Sequence, residues 1–214
     1  ATVRLLDGGI DAWLAAGGAT GDGIETAAER AERATSESVA PGRWDPRSEL
    51  VADLEEVREI SARYAAAVSD GAIDGSDPPA NGSGERAPSR LVDVRTLGEW
   101  DGSCPEHYPF FSVAGHIPGA IHQGDWDTLV DRETHRIATR LESVAQRWRE
   151  IGILDASVES GDVELVFCCG TGWRSSVSFL IATLLGLRAR NFDSGFYGWS
   201  WNENPVMPIL PRCG

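Results

Sequence analysis

Glu164-Leu165-Val166-Phe167-Cys168-Cys169-Gly170-Thr171-Gly172-Trp173-Arg174-Ser175-Ser176 decides how this chain is read. Its first five residues are an apolar run of strand length, and the residues from about Ser176 to Leu185 form a helix too apolar to be exposed. Between them a cysteine enters a short, Gly-rich loop that leads into a helix N-terminus. Successive backbone N–H groups of such a loop point inward, and the helix end adds partial positive charge. A thiolate, or an anion bonded to it, is stabilised in that setting. Arg174 closes the ring with a fixed cation, so the chemistry implied is a nucleophilic cysteine acting on an anionic substrate.

Working outward, Leu91 to Val94 is a buried strand, Arg188 to Phe192 another, and Leu50-Val51-Ala52 a short one. Asp53 caps a helix that runs to about Ala67, and Thr139 with Glu142 three residues on predicts a capping box for a second helix. Leu141, Val144, Ala145 and Trp148 fall on one face of that helix. Strands alternating with helices over short connections predict an α/β fold, a central parallel sheet with helices on both faces. Cys169 then sits at the carboxyl end of a strand, where such sheets place their sites.

The chain of 214 residues carries a net charge of −14, from 19 Lys+Arg against 33 Asp+Glu, and most of the acid lies in the first half. A nucleic-acid or anionic-membrane partner is therefore not expected. No stretch approaches the ~18 apolar residues of a membrane span, and no signal peptide is visible. A soluble protein is expected, with the cytoplasm favoured and a secretion signal upstream left open. Cys104, Cys168, Cys169 and Cys213 have neither the spacing of a zinc site nor the look of a disulfide framework, and no metal or cofactor is expected. Neighbours in a strand face opposite ways, which sends Cys168 into the core.

Four stretches, taken in order, resemble the rhodanese superfamily. They are the Cys169–Arg174 loop, Leu91-Val92-Asp93-Val94-Arg95 with Glu99-Trp100-Asp101-Gly102, Gly115-His116-Ile117-Pro118-Gly119-Ala120-Ile121, and Asp193-Ser194-Gly195-Phe196-Tyr197-Gly198-Trp199. The resemblance covers roughly residues 47–206, with a flexible insertion at about 69–89 and a tail at 207–214. It implies a rhodanese-like fold and a sulfurtransferase working by double displacement through a Cys169 persulfide. The substrates implied are a small anionic sulfur donor such as thiosulfate and a thiophilic acceptor, which is cyanide, a thiol or a protein cysteine.

Under this resemblance Gly170, Thr171, Gly172, Trp173 and Ser175 form the cradle, with Trp173 as an apolar wall. Arg174 clamps the anion or pairs with a local carboxylate. Asp93 orients an Arg or the loop amides, and Arg95 helps bind the anion, unless the two form an ion pair that knits two loops together. His116 is expected to brace a turn rather than act as a base. The six-residue ring suits sulfur, whereas related phosphatases and arsenate reductases on this fold have a longer one. A mercaptopyruvate-type loop usually lacks the closing Arg. A carrier role without turnover needs the same persulfide and is not separated by sequence.

Val3-Arg4-Leu5-Leu6-Asp7-Gly8-Gly9-Ile10-Asp11-Ala12-Trp13 repeats the pattern of Arg190 to Trp199: Asp, a Gly two later, a Trp four after that. The expectation is that residues 1–18 are the closing element of an upstream rhodanese repeat, with 19–46 a linker and 47–206 the catalytic repeat.

Overall fold

In the computed structural model, residues 5–20, 48–71, 88–103, 113–124, 126–202 and 204–206 are described. Most of the expected linker and insertion, and the whole tail, lie outside these residues. The expected sheet is present. Strands β1 (Ser89–Asp93), β2 (Ile121–His122), β3 (Glu164–Cys168) and β4 (Ala189–Asn191) form one parallel sheet in the order β2-β1-β3-β4. Val92 pairs with Phe167 and Asp93 with Cys168, so the ends of β1 and β3 are level. The expected strand at 50–52 shrinks to one parallel bridge, Val51 to Asn191, because Ser48–Leu50 winds into a 3-10 turn.

Side-chain alternation divides the core in two. On one face Val92, Leu165, Phe167 and Cys169 pack under α4 (Leu141–Glu150), α5 (Ala156–Glu159) and α6 (Ser175–Leu184) through Trp148, Val158 and Ile181. On the other face Leu91, Val166 and Cys168 meet α2 (Leu54–Ser69) and α7 (Gly195–Trp201) through Val57, Ile60, Phe196 and Trp199. The adjacent cysteines therefore enter opposite cores, as the strand period requires. Short α1 (Gly9–Ala15) and α3 (Leu97–Asp101) complete the helices.

Asp53 caps α2 as expected, with a full capping box to Glu56. The box expected at Thr139 does not form. Thr139 lies inside a 3-10 turn, Ala138–Arg140, closed by Arg140 N–H donating to the Ile137 carbonyl, and this turn feeds directly into α4. A capping residue must be extended, and Thr139 is already coiled. At the other end of the sheet Arg90 is buried and donates to the Gly152 and Ile153 carbonyls and to Asp155, which ties β1 to the α4–α5 connection.

Candidate active site

Cys169 is the first residue beyond β3, where the ladder still holds: Val94 N–H donates to the Cys168 carbonyl at 2.9 Å. Its side chain continues the strand alternation and is fully buried in the core that includes Leu129, Val144 and Ile181. The thiol thus lies beneath the loop and not on its surface. Replacing it by Ser would place a hydroxyl in an apolar setting, so the substitution also carries a stability cost of about 1–3 kcal/mol. The Ser175 hydroxyl lies 3.6 Å from Cys169 Sγ and donates to the Gly172 carbonyl at 3.0 Å. Its one proton can serve the carbonyl or the sulfur, so it is poised to turn toward a thiolate.

The loop is shaped by what lies behind it. Phe196 N–H donates to the Cys169 carbonyl at 2.7 Å, Tyr197 N–H to the Gly170 carbonyl at 2.9 Å, and the Asn191 amide to the Gly172 carbonyl at 3.1 Å. The start of α7 is therefore pressed onto the outside of the ring. Gly172 has φ +81°, and a Cβ there would lie 2.3 Å from the Asp193 carbonyl oxygen. Only glycine fits both the left-handed backbone and the close approach. With three carbonyls engaged outward, the loop's N–H groups are free to face inward, which is the anion-binding polarity.

Arg174 stands at the N-cap position, just before α6, and makes a bidentate pair with Glu99, both bonds at 2.8 Å. Glu99 is itself buried and accepts from the Thr96 N–H and hydroxyl at 3.0 Å. Burial pushes its carboxyl upward, but the Arg174 bonds and charge with the Thr96 donors prevail and hold it below the usual range. Sequence reasoning placed Glu99 in a motif but gave it no role as the partner of Arg174. The signal was the Thr96–Glu99 capping box, which fixes the Glu99 side chain at the start of α3. Trp173 stands at the rim, 83% exposed.

Arg95 takes the ion-pair role that the sequence left open. Fully buried, it donates to both oxygens of Asp93 and to the Gly115 carbonyl at 2.8 Å, and its guanidinium lies 4.0 Å over the Phe196 ring. Burial would lower its pKa, yet the Asp93 carboxylate outweighs this and raises it. In this position Arg95 links the end of β1, the Gly115 turn and α7. His116 stacks on Trp100 at 3.9 Å, with Nδ1 2.9 Å from the Trp100 carbonyl, and burial lowers its pKa, so it braces the turn as a neutral ring. On the opposite face burial drives the Cys168 thiol well up, which keeps it protonated and inert. Among the described residues, no group of His, Cys, Asp and Glu could hold a metal ion, and no helix is long and apolar enough to cross a membrane.

Comparison with known proteins agrees with this arrangement. A family described as "Rhodanese-like domain" matches residues 80–201. Thiosulfate sulfurtransferase of Azotobacter vinelandii is 33% identical over 118 residues, 53% of this chain and 40% of that protein. Thiosulfate sulfurtransferase YnjE of Escherichia coli is 25% identical over 210 residues, 95% of this chain and 40% of that one. The putative thiosulfate sulfurtransferase SseB of Mycobacterium tuberculosis is 25% identical, covering 98% of this chain and 57% of its own length. The chain thus spans only part of each relative. Among solved structures, EanB in complex with hercynine superposes with a TM-score of 0.68 at 23% identity, covering 97% of this chain and 41% of EanB.

Proposed function

Because this chain belongs to the family of rhodanese-like domains, we propose that it is a sulfurtransferase in which Cys169 carries a sulfane sulfur between two half-reactions. The observation that supports this most directly is the ring itself. Cys169 follows a buried strand, beneath a loop three of whose carbonyls accept from the residues behind it and whose closing Arg174 is oriented by Glu99.

In the first half-reaction the Cys169 thiolate attacks the outer sulfur of thiosulfate. The new S–S bond forms as the sulfur–sulfur bond of the donor breaks, and sulfite leaves with the electron pair. The persulfide keeps one negative charge, offset by inward N–H groups of Gly170 to Trp173, by the N-terminus of α6 and by the Ser175 hydroxyl. In the second half-reaction an acceptor such as cyanide or a thiol attacks the outer sulfur and regenerates the thiolate. No cofactor enters either step. Arg174, held in place by Glu99, supplies the cationic edge for the donor's sulfonate. Asp93 and Arg95 act at one remove, by holding the sheet end and α7 in place.

The same reading takes residues 1–18 as the closing element of a further rhodanese-like unit. Its support is the shared geometry of the two elements, which the Discussion compares.

The test is thiocyanate formation from thiosulfate and cyanide, with Cys169→Ser as the control. Turnover by the wild type and none by the folded variant is the expected result, together with a mass gain of one sulfur on Cys169 after thiosulfate alone. Sulfur transfer retained by the Ser variant overturns the proposal. Arg174→Ala should raise KM for thiosulfate about tenfold, the equivalent of one charge-assisted bond. An unchanged KM would remove Arg174 from the donor site.

A further inference from the structure

A second cavity opens on the Cys169 face of the sheet, between the Trp126–Leu129 turn and α4. It measures about 300 Å³, near the lower bound for small-molecule sites and large enough for several waters. Its wall includes Gln123, Thr128, Arg140, Ser143, Arg147 and Trp148.

Four buried polar atoms of that wall have no hydrogen-bond partner among the described residues: both amide atoms of Gln123, the indole N–H of Trp148 and Nε of Arg140. Gln123 is 4% exposed and Trp148 is fully buried. A polar atom buried without a partner costs about 1–3 kcal/mol, so a cluster of four around one cavity marks a place built to receive something polar. Elsewhere among the described residues such atoms are scattered over separate elements, as at Arg90 Nε, Trp100 Nε1 and Ser178 Oγ, rather than gathered around one cavity.

The unpaired set also defines its occupant. Three of the four atoms are donors, Trp148 Nε1, Arg140 Nε and Gln123 Nε2, and the fourth, Gln123 Oε1, is an acceptor. Among the described residues of the wall Arg140 and Arg147 are the charged ones and none is a carboxylate, although the chain as a whole is at −14. Arg147 leans out toward Glu150 at 3.7 Å, a solvent-exposed pair that an incoming anion can displace. Gln123 itself is fixed by its backbone N–H, which donates to the Asp93 carbonyl at 2.9 Å. It lies just past β2 as Cys169 lies just past β3, two strand spacings or ~10 Å across the sheet.

We infer that this cavity is a binding site, separate from the cysteine loop, for a small carboxylate that also carries a hydroxyl or amine. The carboxylate takes the indole, guanidinium and amide donors, and the hydroxyl or amine donates to Gln123 Oε1. The inference does not depend on the sulfurtransferase reading, and its test reads no turnover.

The probes are L-lactate and L-serine, with glycerol as the uncharged control, added to the full chain labelled with ¹⁵N. The signal is the Trp148 indole N–H resonance, assigned through its contacts with Val144. Lactate or serine should shift that resonance saturably, with a Kd near ~1 mM, while glycerol leaves it in place. Gln123→Glu keeps the shape, turns the amide into a charge and should weaken binding at least about tenfold. Three results would each overturn the inference: no shift with either acid at ~10 mM, an equal shift with glycerol, or full binding by the folded Gln123→Glu chain. The first of these would mean that the cavity holds only water.

Discussion

Residues 7–13 and 193–199 are written in one pattern and end in different surroundings. Each opens a seven-residue helix, α1 or α7, and each begins it with a glycine of nearly the same left-handed φ, +54° at Gly9 and +56° at Gly195. The likeness extends to the tryptophans. Trp13 Nε1 donates to the carbonyl six residues on, at Ala19, and Trp199 Nε1 to the carbonyl six residues on, at Pro205. Burial separates them. Phe196 and Trp199 are 1% exposed, whereas Ile10 is 59% and Trp13 47% exposed. The pattern thus encodes the helix and its cap, and the surface opposite decides what the helix is worth. Opposite α7 stand the carbonyls of Cys169 and Gly170 and the guanidinium of Arg95. Opposite α1, among the described residues, stands the 131–137 turn, joined through Asp7 accepting from Ile137 N–H and through the exposed Asp11–His135 contact.

Truncating the two tryptophans should break the likeness most widely. Trp199→Ala leaves a large void beside Phe192 and Phe196 and is expected to cost about 3–5 kcal/mol. Trp13→Ala removes a half-exposed ring and should stay within about 0.5 kcal/mol. Urea melts of the two variants against the wild type measure both. Equal losses would mean that α1 is packed as α7 is, and the comparison would fail.

The glycines give a finer contrast, because their backbones match and only their neighbours differ. A Cβ at Gly195 would meet the Cys169 and Gly170 carbonyl oxygens at 2.6 and 2.7 Å, while one at Gly9 meets nothing within 4 Å. Gly9→Ala should cost only the left-handed strain, about 1–2 kcal/mol. Gly195→Ala adds overpacking and should reach about 3 kcal/mol. It should also lower sulfur transfer, since the clash falls on the loop that carries the cysteine. Stability curves with thiocyanate assays on the same samples separate the two effects.

What the sequence made legible follows from how local each signal is. The β3–loop–α6 unit was readable because strand, glycines and helix are contiguous, and the α2 cap because Asp53 and Glu56 are three residues apart. Thr139 carried the same spacing and misled, since capping also depends on the residues before it, and these coil first. The partner of Arg174 was hidden for another reason. Glu99 is 75 residues away, and only the alignment of β1 with β3 brings α3 beside the loop. The burial of Cys169 was equally non-local, because it depends on α4 and α6 closing over the sheet. The orphaned polar atoms at Gln123, Arg140 and Trp148 have no sequence signature at all.

A last contrast sets a carboxylate beside the cysteine loop against one on α1. Glu99 is buried in its pair with Arg174, and Asp11 is exposed beside His135. The Glu99 carboxyl is held below its ordinary value of 4.5 in the folded protein, so the folded state binds its proton less readily than the unfolded chain. The stabilisation it gives is therefore complete above that ordinary value, and it is lost as pH falls from there through the folded-state pKa. Glu99→Gln should destabilise the chain by about 1–3 kcal/mol at neutral pH, leaving Arg174 without its charge partner. It should also flatten the decline of stability between neutral pH and the acid range, so that the variant and wild type converge at low pH. Asp11→Asn should leave both quantities within about 0.5 kcal/mol of the wild type, as an exposed pair does. Urea midpoints taken across pH 7 to 3 test all three statements. A constant gap between Glu99→Gln and wild type would show that the loop is held by shape rather than by the Glu99 charge. Arg174 would then be free to orient toward the sulfur donor without its carboxylate.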